Sequence, residues 1–114
     1  MDDVERFVID GNISRFVDRL RIETDPCRQQ TLKRLLIAEE SRFGATCDRL
    51  QMVERYLTEG EERIANQRRL VAAMRNNGGD VSAAQRTLCT FESIQDLFQT
   101  AHAAVHEEME RRRP

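Results

Sequence analysis

The only two histidines of this chain, His102 and His106, are four residues apart. On a helix that spacing puts both imidazoles on one face, an arrangement that can hold a metal ion. Further ligands would have to come from elsewhere, because the neighbouring Glu107 points away from the pair. No Glu-x-x-His pattern occurs, since Gln99 and Ala103 stand three positions before the histidines. That argues against a di-iron carboxylate bundle. Two ordinary surface histidines are expected, with no metal and no cofactor.

Cys27 is the second candidate. It follows Pro26 at the start of an expected helix and precedes Arg28. A helix N-terminus and an adjacent cation both favour a thiolate, so this is the one cysteine with a redox case, although Asp25 opposes it. Cys47 and Cys89 fall near apolar seams and are expected to be buried. Three cysteines at wide spacing suggest neither a disulfide framework nor a zinc knuckle, and point to a reducing, cytoplasmic setting.

Carboxylate pairs occur at Glu39–Glu40, Glu61–Glu62 and Glu107–Glu108. General acid–base chemistry needs groups that converge in a pocket. Adjacent residues on a helix diverge by about 100°, so these pairs are expected on solvated faces. Glu39 is the exception, because it lies on an apolar seam and can pair across it or set register. The run "RNNGGDVSAAQ" (75–85) resembles a phosphate loop only in its glycines. It follows a helical pattern rather than a strand, and Asp80 would repel an anion from the next helix start. No catalytic constellation is expected, and an enzyme is the least supported class.

The elements that would carry these residues are helical. The 114 residues are 33% charged and only 5% aromatic, with five glycines and two prolines. The size suits one domain, a single all-helical unit over 1–114. Charges of both signs are interspersed and net to −2, so nucleic acid is not an expected partner. The acidic start "MDDVERFVID" lacks the apolar core of a signal peptide, and no apolar run approaches the ~20 residues of a membrane span.

Residues 1–23 are expected to form one or two short helices. Asp2 or Asp3 would cap the first, which has Val4, Phe7 and Val8 at helical spacing. Gly11 and Asn12 would interrupt, and Ile13, Phe16, Val17 and Leu20 would then line one face. Asp25–Pro26 caps and opens the next helix. From there a seven-residue rhythm runs through Leu32, Leu36, Glu39, Phe43, Thr46, Leu50, Val53, Leu57, Gly60, Ile64, Gln67, Val71 and Met74. It predicts a long helix over 26–76 with coiled-coil packing, with Gly44 and Gly60 as the places for a kink or break.

Gly78–Gly79 would close that helix, and Asp80 or Ser82 would cap a return helix over 80–112. The return helix carries Leu88, Phe91, Ile94, Phe98 and Val105 on its apolar stripe. The expected class is therefore all-α, a long antiparallel hairpin plus short N-terminal helices. Tyr56, Leu70 and Leu97 would form exposed edges, which a homodimer would cover by making a four-helix bundle.

Along "NISRFVDRLRIETDPCRQQTLKRLLIAEE" and "GEERIANQRRLVAAMRNNGGDVSAAQRTLCTFESIQDLF" the chain resembles uncharacterised small helical, coiled-coil-like proteins of rhizobial-type alphaproteobacteria. The resemblance covers Asn12 to Phe98. It implies a bacterial cytoplasmic setting and transfers no activity and no functional residue.

The function expected from these features is that of a non-enzymatic interaction or scaffold protein self-associating through its hairpin. Two alternatives stand beside it. One is a small regulatory protein docking on a signalling or transcription component. The other is a thiol or metal sensor.

Overall fold

The computed structural model describes residues 2–44 and 47–113. Among these residues four helices follow one another, α1 (Asp3–Ile22), α2 (Pro26–Ser41), α3 (Cys47–Asn76) and α4 (Ser82–Arg111). No strand occurs among the described residues.

Each helix start has a local cause. The Glu5 backbone N–H donates to the Asp2 carboxylate at 2.7 Å, and that of Arg28 donates to Asp25 at 3.0 Å ahead of Pro26. These are N-caps of the expected kind. At α4 the cap position belongs to Val81, which makes no side-chain cap bond. Asp80 acts from one residue upstream, accepting the Ser82 backbone N–H at 2.9 Å.

α1 is one helix rather than two. Ile9, Ile13, Val17 and Leu20 form an unbroken buried stripe, and that burial outweighs the roughly 1 kcal/mol that Gly11 costs a helix interior. Asn12 is no cap; its side-chain amide donates to Glu39 across the α1–α2 interface at 2.9 Å.

The expected helix over 26–76 is two helices. Gly44 has φ 73°, a left-handed geometry that ends α2 and that other residues adopt only at a cost. Phe43 just before it is fully buried. Gly60 lies inside α3 and breaks nothing. Thr46, a position on the expected seam, lies outside the described residues.

α3 and α4 pack as an antiparallel hairpin, the most extensive helix contact in the molecule. Its tip is a Schellman closure, with Gly78 at φ 74° and the Gly79 N–H donating to the Met74 carbonyl at 2.9 Å. α1 pairs with α2, and α4 touches all three other helices. α1 begins beside the start of α3, through Arg6 and Asp48 at 2.7 Å, and one turn later Asp10 meets Arg55 and Tyr56. Two helices therefore run up and two down, in a molecule 58 × 25 × 24 Å.

A four-helix bundle thus forms within one chain. α1 and α2 cover the apolar flank that a second copy was expected to cover. Tyr56, expected at an exposed edge, is buried with its ring 5.1 Å from Phe98. Leu97 is half-buried against the core, and Leu70 stays exposed on the part of the hairpin nearest the tip.

Candidate interaction surface

Three polar nodes hold the helices in register and so shape the surface. Glu40, not Glu39, is the carboxylate taken fully out of water. Arg49 grips both its oxygens, at 2.7 and 2.9 Å, and so ties α3 to α2. Such bidentate pairs are geometrically specific.

Asp10 on α1 accepts the Tyr56 hydroxyl at 2.8 Å and Arg55 at 2.5 Å. Burial, then the hydrogen bond to Asp10, pushes the Tyr56 phenol well above its ordinary range. The same carboxylate raises Arg55.

In the third node, the buried Gln95 reaches from α4 to α3 and donates to the Leu57 carbonyl at 2.9 Å. Its Oε1 would lie 1.9 Å from a Cβ placed on Gly60. Gly60 is therefore a seat for Gln95.

The polar interruptions of the seven-residue rhythm now have partners. Glu39 pairs with Asn12 and with Arg42 at 2.6 Å. Gly60 receives Gln95. The Gln67 amide donates to the Ala84 carbonyl at 2.9 Å.

The apolar seam expected to face a second copy is taken up inside the chain. Leu36, Phe43, Val53, Ile64, Val71, Leu88, Phe91, Ile94, Phe98 and Val105 are buried, and Leu50 and Leu57 are half-buried. These residues build the core of the bundle and leave no continuous open seam along the described hairpin.

The chemical candidates do not converge. The rings of His102 and His106 are 6.1 Å apart, and His102 Nε2 lies 3.4 Å from Glu54 on α3. Glu54 is a neighbour that sequence spacing has no means of showing. No cluster of three or more His, Cys, Asp or Glu residues suited to a metal ion occurs among the described residues. Cys27 is exposed at the start of α2. Cys47 and Cys89 are exposed as well, contrary to expectation, because each lies off the stripe its helix buries. No helix among the described residues is long and apolar enough to cross a membrane.

What stands out is apolar surface on α1 and a groove at its far end. Val4, Phe7 and Ile22 are 72, 77 and 73% exposed, although α1 has a complete buried stripe on its opposite side. Ile22 borders a groove of about 630 Å³ between the α1–α2 elbow and the first half of α4. A second groove of about 570 Å³ between α2 and α4 shares Lys33 and Ser93 with it.

The two grooves are lined by four cations, Arg21, Lys33, Arg34 and Arg86, and two carboxylates, Glu23 and Asp96. The sum is +2 on a chain whose net charge is −2. Arg21, Lys33 and Arg34 take part in none of the ion pairs among the described residues, whereas Arg6, Arg42, Arg49 and Arg55 are all paired. Compared with known proteins, the chain matches no family model, no curated protein and no solved structure.

Proposed function

We propose that this protein is a non-enzymatic helical interaction protein that self-associates, and that its contact surface is the outer face of α1 with the adjoining groove rather than the hairpin seam. The observation that carries this reading is the exposure of Val4, Phe7 and Ile22 on a bundle whose core is already closed. Val4, Phe7 and Val8 form one exposed apolar cluster at the start of α1, and a contiguous patch of that kind marks a contact surface. The polar nodes support it too. Each ties one helix to another, and the cleft that Tyr56 borders, about 70 Å³, is far smaller than the ~300 Å³ or more of a substrate site.

Sedimentation velocity through the micromolar range tests the proposal. A reversible monomer–dimer equilibrium is expected, and a strictly monomeric species contradicts the self-association.

A second reading has its own observation, the joined grooves with their unpaired cations. On that reading the chain is an adaptor receiving an acidic amphipathic helix of a regulatory partner. It predicts a monomer that binds a synthetic helix bearing leucines on one face and glutamates on its edges. Binding of that probe should be lost when Lys33 and Arg34 are replaced by Glu.

A further inference from the structure

The exposed apolar residues of α1 share one line. Val4 and Ile22 are 18 residues apart, which at 3.6 residues per turn is about five full turns. They therefore point the same way from opposite ends of α1, about 27 Å apart. Phe7 and Val8 flank the line at its start, and Gly11, Arg15 and Asp18 continue it. A Cβ on Gly11 would meet the Arg15 guanidinium at 3.8 Å, so the middle of the line is polar, carrying Arg15 and Asp18 between the apolar ends.

Charge divides along the same helix. The first turn is acidic, with Asp3 and Glu5, and the last turn is basic, with Arg19 and Arg21. None of these four is ion-paired within the chain among the described residues, unlike Arg6 and Asp10 on the sides of α1 that face the bundle.

The geometry points to a two-fold contact in which α1 lies antiparallel on α1 of a second copy of this chain. This inference rests on the self-association proposed above and names its face and direction. In such a pair Val4 of each copy sits on Ile22 of the other. Phe7 and Val8 reach the mouth of the other copy's groove.

Asp3 falls on the edge occupied by Arg21 of the second copy, and Glu5 on the edge occupied by Arg19. A parallel pairing would instead set the two acidic ends together and the two basic ends together. The antiparallel arrangement satisfies both ends at once and closes on itself, as an isologous contact must. The seam is about 30 Å long and one helix, roughly 10 Å, wide. That footprint, roughly 300 Å² per copy, is below the ~800 Å² per partner of standard interfaces, so a weak, reversible dimer with a dissociation constant in the upper micromolar range is expected.

The test is disulfide trapping in a full-length background with Cys27, Cys47 and Cys89 each changed to Ser, all three being exposed. One preparation carries Val4→Cys and another Ile22→Cys. Mixed and oxidised, they should give a covalent heterodimer in large excess over the homodimers each gives alone. Disulfides form only between residues whose Cα atoms come within about 7 Å.

Adding Phe7→Asp to the wild-type chain should raise the dimer dissociation constant by roughly tenfold or more. It should leave helicity unchanged, since Phe7 is exposed and lies outside the buried core. If the wild-type chain dimerises but the mixture gives no excess heterodimer, this face is wrong while self-association survives. If Val4→Cys alone cross-links as well as the mixture, the antiparallel direction is wrong. A wild-type monomer removes both readings together.

Discussion

Gly60 and Gln95 form one joint. Gln95 crosses from α4 because Gly60 offers no Cβ, and its amide then caps the Leu57 carbonyl on α3. Gly60→Ala would normally favour a helix interior by roughly 1 kcal/mol. Here the added Cβ displaces the buried Gln95 amide from its bond to Leu57, so the helix gain is cancelled and a net loss of about 1 kcal/mol is expected in denaturant unfolding. Combining it with Gln95→Ala should recover much of that loss, a non-additivity expected of residues that touch. The neighbours Glu39 and Glu40 should differ sharply in cost. Glu40→Ala strips the bidentate partner from Arg49 in a buried site, and a cost of about 3–5 kcal/mol is expected. Glu39→Ala removes one inter-helix hydrogen bond, and roughly 1 kcal/mol should go. Tyr56 adds a pH dependence of definite sign. Its pKa is raised in the folded state, so its contribution is whole below the unfolded value of about 10 and is lost as pH rises beyond it. Alkaline titration of unfolding stability should show that decline in the wild-type chain, and Tyr56→Phe should flatten it.

At the scale of helices, much is legible in the residues and some is not. The caps at Asp2 and Asp25 and the closure at Gly78 can be read because each depends on two or three adjacent residues. The break at Gly44 cannot be decided from the apolar rhythm, since that rhythm continues in phase on both sides. Gly44 and Gly60 look alike in sequence. Only the tertiary partner, Gln95, makes one a helical seat while the other turns the chain. For the same reason the spacing of Val4, Phe7 and Val8 does not tell which side of α1 is buried. That depends on where α2 and α4 lie, and those positions are set by distant contacts such as Asn12 with Glu39. Buried Tyr56 and exposed Cys89 follow the same logic. The left-handed glycine at the hairpin tip makes a measurable prediction. A Cβ added to Gly78 would meet nothing within 4 Å, so Gly78→Ala should cost only the backbone strain, about 1–2 kcal/mol. Gly78→Asn should cost less, because Asn tolerates that geometry. Thermal unfolding distinguishes the two.

The whole molecule is an elongated bundle whose core is complete in one chain. The long hairpin supplies the frame. α1 and α2 close its flank, and α4 is the central strut that touches the other three. Closing the core this way removes the reason for dimerising through the hairpin and leaves a different surface to explain. That surface is the stripe on α1, acidic at one end and basic at the other, beside a groove of opposite charge to the chain. On the proposed reading, the chain should be sensitive to changes on α1 that leave its fold intact. The decisive experiment is sedimentation velocity of the wild-type chain and of Phe7→Asp, side by side through the micromolar range. A concentration-dependent dimer is expected for the wild type, and a monomer of unchanged helicity for the variant. A wild type that stays monomeric throughout, or a dimer indifferent to Phe7→Asp, would contradict a self-associating α1 face.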